Sequence, residues 1–491
     1  MMKARWILAW AGIAVCSGCS STANRHLAHR DSKRLDAAPS VTRIKPVDQD
    51  SVESPEDIQP VSHEETLTAD TVPLVNELSL SSGIALSLSQ NPDLIAVRQA
   101  ENVSSAALGV AQTYPFNPFV QIQATPYQNA PFGITGTTYH YVLLMQTIQL
   151  AHQQQFREEG ACATLNSTRW NILQAELQNV AQTERLYFSV LYLRGLLDLA
   201  MASHANNQEL LRTLEKQLDA GQATAADVVM VRIDTRSTHQ QLRLARANAE
   251  TAVRDLKRQL GMSAEDPASI TGDLRSILWR NPASVSLEPK ALEIEIPLET
   301  ATEREKMMVA SRAVSRPDIM AAHADVDVAR ANLNLATAAK TPDLQIGPYY
   351  QRTLDGTSFL GFRAQMDIPV INNGRPLERQ RAAELAQRLT AWQQAARRAE
   401  LEAKAAWDRY KLASEAVAED ADFRQSDLPN ELQQLETQFV AGEVDIVRVM
   451  QARTSIIQNQ RIYLDLLNEL AQSAANVTAT TGMPVEELLQ Q

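Results

Sequence analysis

Cysteine, histidine and acidic residues are the side chains that could do chemistry in this chain, and their spacing supports very little of it. Cys16 and Cys19 lie close together at the end of the N-terminal apolar segment and Cys162 stands alone, so no second pair completes a metal site. His140, His152, His204, His239 and His323 are scattered singly, the methionines form no cluster, and neither an H-E-x-x-H nor a Gly-rich phosphate loop is present. No enzyme activity, cofactor or metal site is expected. Two patterns remain. A thiol follows a short apolar stretch near the N-terminus. Farther on, Arg363, Gln365 and Asp367 alternate with Leu360, Phe362, Ala364, Met366 and Ile368, which places fixed polar groups along one wall of a strand.

The thiol comes with an export signal. Lys3 and Arg5 supply the positive end, Trp6 to Val15 the apolar stretch, and Ser17-Gly18 the small residues before Cys19. The stretch is too short for a permanent span. Cys16-Ser17-Gly18-Cys19 resembles a bacterial lipoprotein box, in which the last cysteine receives a diacylglycerol, although Cys16 replaces the usual Leu. Ser20-Ser21 resembles outer-membrane sorting. Simple cleavage at a nearby small residue is the alternative. Cys162, in a helical stretch without a His partner, reads as a small buried residue.

A net charge of -12 argues against a nucleic-acid partner, which needs a basic surface. Hydrophobic content of 44% with only 5% aromatic residues and 17 glycines favours helix. Residues 20–72 are aperiodic and rich in Ser, Thr, Pro and charge, so they cannot bury enough apolar surface to offset their ordering entropy. The organisation expected is a signal at 1–18, a tether at 19–74, and two repeats at 75–290 and 291–491.

The repeat is long. Leu214 to Gly221 is echoed by Leu435 to Gly442, Gly261-Met262 by Gly482-Met483, Asn91-Pro92-Asp93 by Arg316-Pro317-Asp318, and Tyr114-Pro115 by Thr341-Pro342. Each copy reads as a helix, two strands near 118–128 and 137–149 or 343–353 and 358–370, and a very long helix. The stretch 152–218 contains no proline and would reach on the order of 100 Å at the helical rise. Leu173, Leu177, Val180, Tyr187 and Leu191 give it a coiled-coil seam, which Glu184 interrupts. Its counterpart, 377–440, carries Ala399, Ala403, Ala406, Tyr410, Ala413 and Val417 at the same spacing, with Pro429 as a kink. Helices of this length need neighbours to cover them.

The alternation over 360–368 suits a strand with one face in lipid and one facing an aqueous channel; a half-buried strand of a soluble sheet has the same pattern. Four strands cannot close a barrel, whereas three copies would supply twelve.

These motifs, in this order, resemble the TolC-type outer-membrane efflux factors over about residues 75–487. The resemblance implies a mainly α protein with a membrane β-barrel: a homotrimer with long coiled-coil hairpins, a twelve-strand barrel and an α-helical tunnel. It implies a passive exit duct in the outer membrane of a Gram-negative-type bacterium, integral and lipid-anchored at Cys19, with a large periplasmic portion. Its partners would be outer-membrane lipid, a periplasmic adaptor and an inner-membrane pump of the resistance-nodulation-division type. Ala220-Gly221-Gln222 and Ala441-Gly442-Glu443 match the hairpin tips that dock the adaptor. Just past them, Asp227, Asp445, Arg448 and Gln451 match the periplasmic gate. The family has acids where this chain has Arg448 and Gln451, so either Asp227, Asp445 and Arg448 close the tunnel by ion pairs or they are solvated tip charges. Arg363, Gln365 and Asp367 would face the barrel lumen.

Residues 342–347 and 368–374 resemble the heavy-metal branch, which implies divalent cations as cargo; export of drugs or other solutes, including type I secretion, is the alternative. An adaptor lipoprotein would show one hairpin among Gly-rich β modules, and a soluble periplasmic protein would have shorter helices.

Overall fold

A computed structural model describes residues 77–125, 139–280 without 264, 282, 316–419 without 354, 434–435, 437–439 and 444–490. The N-terminal signal with Cys19, the tether, the turn at 129–133, Pro429 and the tip Ala441-Gly442-Glu443 lie outside the described residues.

The elements follow in the order β1 (Glu77–Leu78), α1 (Leu80–Gln90), α2 (Pro92–Gln112), β2 (Phe119–Thr125), β3 (Tyr139–Ile148), α3 (Gln153–Asp219), α4 (Ala225–Gln259), β4 (Ser269–Ile270), α5 (Pro317–Ala338), β5 (Leu344–Arg352), β6 (Ser358–Met366), α6 (Arg375–Glu419) and α7 (Ile446–Thr481). They sort into two compact units, and α2, α3 and α6 contribute residues to both.

One unit gathers Arg98–Gln174 and Pro317–Arg398 around an antiparallel sheet of order β2-β3-β5-β6. Pairing of Val120 with Leu144, Val142 with Tyr350 and Tyr350 with Leu360 fixes a register in which every even position shares one face. That face carries Val120, Ile122, Val142, Leu144, Tyr350, Leu360, Phe362 and Met366, all exposed. The odd face carries Gln121, Gln123, Tyr141, Gln345, Tyr349, Arg363 and Gln365, with Leu143 and Met145 buried toward its middle. β2 and β6 are open edges within the chain. The helices of this unit are tied by polar contacts: Arg169 to Glu101 (2.7 Å), Ser167 to Asp325 (2.6 Å) and Arg388 to Asp325 (3.2 Å).

The other unit holds the described residues to Val97, Ala175–Arg316 and Ala399–Gln491. Its core packs Phe188 and Leu191 of α3, Leu256 of α4, Tyr410 of α6 and Leu467, Leu470 and Val477 of α7. One 18-residue stretch of α3 has a mean hydropathy of 1.3, apolar enough by length and composition to cross a membrane. Phe188, Val190 and Leu191 of this helix lie in the core.

α1 starts at a capping box between Ser79 and Ser82 and stops at Asn91, ahead of Pro92. Asn91 then serves two neighbours, donating to the Gln259 carbonyl (2.8 Å) and accepting from the Leu94 N–H (2.9 Å). β1 pairs in parallel with β4 over two residues, a ladder too short to leave a sequence pattern. Gly261 ends α4 at φ 73°, and a Cβ there would meet the Gln90 carbonyl at 2.2 Å, so only glycine fits.

Two expectations need correction. Glu184 does not interrupt the buried face of α3: it is wholly buried, as are its neighbours Thr183 and Ala181. α3 is covered by α4 and α7 on different sides, so its buried surface is wider than one seam, and Leu173, Leu177 and Val180 are only half-buried. Cys162 is likewise half-buried.

Candidate functional site: a helical tip and a polar strand face

The first tip is built by a helix stop and a helix start. α3 ends in a Schellman turn, with the Gln222 N–H donating to the Gln217 carbonyl (2.7 Å) and the Gly221 N–H to the Leu218 carbonyl (2.9 Å). The turn requires the left-handed φ of 72° found at Gly221. α4 then starts at Thr224, whose hydroxyl accepts from the Asp227 N–H (3.2 Å) while the Asp227 carboxylate accepts from the Thr224 N–H (3.1 Å). The capping box fixes Asp227, a role that the signature Thr224-Ala225-Ala226-Asp227 announces and that the gate expectation overlooked.

A small apolar cluster stiffens the hairpins just behind the tip: Leu210 and Leu214 of α3, Val228 and Val231 of α4 and Ile446 of α7. α7 starts at Asp445, which makes no side-chain cap. Ile446 and Val449 turn inward, whereas Asp445, Arg448 and Gln451 are exposed and recur at steps of three, on one helix face. The two starts are therefore unequal. Asp227 at the third position of α4 complements the helix dipole, and Arg448 at the same position of α7 opposes it. Among the described residues no ion pair joins Asp227 to Arg448 within the chain.

Behind the tip, α3 and α4 bring His204 and His239 to 5.2 Å between ring centroids, with His204 also in contact with Thr238 (3.3 Å) and Gln208 (2.9 Å). Sequence spacing treated these histidines as isolated, because their meeting depends on the register of the hairpin.

On the sheet, Arg363 reaches Tyr141 and Gln365 through long contacts of 3.4 Å each, and Tyr141 lies 6.1 Å from Tyr349 between ring centroids. Asp367 follows β6 and joins Gln365, Gln345 and Thr147 in lining an open cavity of about 570 Å³. Arg157, Lys340 and Asp343 complete its charged lining. Burial raises the Asp343 carboxyl above its ordinary range and Arg157 draws it back down. Gln153 holds Asp343 in place at 3.3 Å. The arrangement sets fixed charge and amide groups along one wall.

Residues 83–262 match the family described as outer membrane efflux protein. No curated protein sequence matches the chain. Among solved structures the fold is similar to CusC at a TM-score of 0.64 and 16% identity, covering 82% of this chain and 91% of that one. It is also similar to the Campylobacter jejuni CmeC outer membrane channel (0.64, 15%, 82% and 85%) and to the Neisseria gonorrhoeae MtrE outer membrane channel (0.63, 14%, 84% and 91%).

Proposed function

Since residues 83–262 match the outer membrane efflux protein family, we propose that the chain is the outer-membrane channel of a tripartite efflux system, a passive duct open to an adaptor and a pump. The observation that carries this reading is the sheet: four strands with two open edges, an exposed apolar face and a polar face, which only further copies and a lipid environment would satisfy. Three copies close the barrel, and Arg363, Gln365 and Asp367 then face its lumen.

Residues 220–222 and 441–443 are the adaptor-docking tips on this reading, and the pump is of the resistance-nodulation-division type. Divalent-cation cargo is supported by the resemblance of 342–347 and 368–374, and on this reading cargo is selected upstream of the duct. Cys19 carries the lipid. Cys19→Ser is expected to abolish incorporation of labelled fatty acid while the barrel keeps the protein in the membrane, and unchanged labelling would remove the anchor.

Conductance tests the duct and its gate together. The purified trimer in a planar bilayer is expected to pass a small current, because Arg448 meets the acids of neighbouring tips. Arg448→Glu sets like charges against Asp445 and Asp227 and should raise conductance severalfold. Adding Asp227→Arg should restore the low value, and high salt should mimic part of the single change by screening. Loss of the capping box in the double variant costs about 1 kcal/mol, too little to dismantle the hairpin. Absence of any current removes the duct; equal current in all variants leaves Arg448 a solvated charge.

A further inference from the structure

Contacts in the hairpin unit run in series. Arg232 to Glu215 (2.8 Å) and Asn207 to Asp234 (2.5 Å) join α4 to α3. Arg453 to the Asn206 carbonyl (3.0 Å) and Tyr192 to Asp465 (2.5 Å) join α3 to α7. Arg409 to Glu469 (2.6 Å) joins α7 to α6. α4 and α6 therefore stand at the two ends of the series, and each turns large apolar residues outward: Leu244 is 63% exposed and Leu412 is 67% exposed.

The outward faces also carry opposite charge. At 3.6 residues per turn, Arg236, Arg243, Arg246 and Arg254 fall within about 40° of one line on α4, all exposed; Arg232 and His239 share the line but are engaged by Glu215 and His204 of α3. The acid on that line, Glu250, is shared by Arg246 (3.1 Å) and Arg254 (3.4 Å). Arg236 and Arg243 have no partner among the described residues. On α6, Asp408, Glu415 and Glu419 share a line and are exposed; Lys411 reaches Glu415 at 3.9 Å, and Asp408 and Glu419 have no partner among the described residues. Followed through the α3 and α7 contacts as rungs, Arg243 comes level with Glu419 and Arg254 with Asp408.

We propose that the arginine stripe of α4 docks on the acidic stripe of α6 in a second copy of this chain, with Leu244 and Leu412 packed beside it. The chemistry is that of charged positions flanking an apolar coiled-coil seam, where opposite signs choose the partner and its register. A chain with its basic stripe at one end of the series and its acidic stripe at the other is complementary to itself head to tail, so copies add in one direction until the ring closes. The inference rests on the trimeric duct reading and deepens it by assigning the seam.

Detergent-purified wild-type protein is first sized, then Arg243→Glu, Glu419→Arg and the double variant are compared for trimer lifetime at low and high salt. Each single change is expected to shorten the lifetime on the order of tenfold at low salt, and the double change to recover most of it. Independently, Arg243→Cys with Glu419→Cys, in a Cys162→Ala background, is expected to give disulfide-linked dimers and trimers on non-reducing gels, since the two positions lie on opposite ends of one protomer. A wild-type protein that never forms trimers overturns the duct reading. A wild-type trimer with no cross-linking overturns the seam alone, and so does one whose lifetime ignores both charge reversals.

Discussion

Arginine at Phe362 or Ala364 is expected to prevent recovery of assembled trimers from the outer membrane, while arginine at Gln365 is expected to leave recovery near the wild-type level. The three positions lie within one strand, so backbone propensity and distance from the turn are nearly constant among them. What differs is the face. Phe362 is 69% exposed and shares its face with Leu360 and Met366, whereas Gln365 shares the other with Arg363 and lines the polar cavity. A charge on the lipid side near the midplane costs roughly 2–4 kcal/mol per strand, and a symmetric trimer incurs it in every protomer. On the polar side the guanidinium stays hydrated, and no such cost arises. Heat-modifiable mobility of membrane fractions reads the outcome, and equal tolerance at all three positions would mean that the apolar face meets protein or water.

The strand faces were legible in sequence because their period is two and their residue types separate cleanly, so Arg363, Gln365 and Asp367 could be assigned to one wall before any pairing was known. The repeat was legible for a similar reason: Gly221, Gly261 and Gly482 mark helix ends that only a left-handed residue satisfies, and they adopt φ of 72°, 73° and 70°. Thr224 and Asp227 carry the capping-box spacing in the sequence, which ties Asp227 to the helix start as well as to the charge at the tip. Other features had no local signal. The His204–His239 contact and the arginine stripe on α4 acquire meaning only from which helix stands next to which. Glu184 is the clearest case: its steps from Val180 and to Tyr187 place it in the seam, but its charge reads as a break there, and only the helices packed around α3 show that the position is wholly buried.

That buried acid is expected to make the hairpin unit lose stability as pH rises. Glu184 is fully buried, and neither of its oxygens has a well-placed hydrogen-bond partner. Burial raises its pKa from 4.5 to about 8, Glu486 adds to the rise, and Thr478, the Val485 N–H and Arg185 oppose it weakly. The weakness has visible causes. The Thr478 hydroxyl is directed to the Ala474 carbonyl (3.5 Å), and Arg185 donates to Asn476 (2.7 Å) instead of reaching its neighbour. In the folded state the carboxyl therefore holds its proton to about pH 8, while the unfolded chain releases it near 4.5. The folded form binds more protons between those limits, so stability is full below about 4.5, falls as pH rises, and levels off above 8. The difference across the window is on the order of 3–5 kcal/mol per protomer. Glu184→Gln keeps the shape and removes the titration. The variant should match the wild type at pH 4.5 and exceed it by most of that amount at pH 8, read as thermal midpoints of the detergent-solubilised protein by circular dichroism. Parallel pH profiles for the two proteins would mean that water or a neighbouring subunit solvates the carboxylate. A duct made of thin helices has little core to spare, and an uncompensated acid at the level where α3, α4, α6 and α7 meet makes the grip of the hairpins on one another depend on the proton concentration around them.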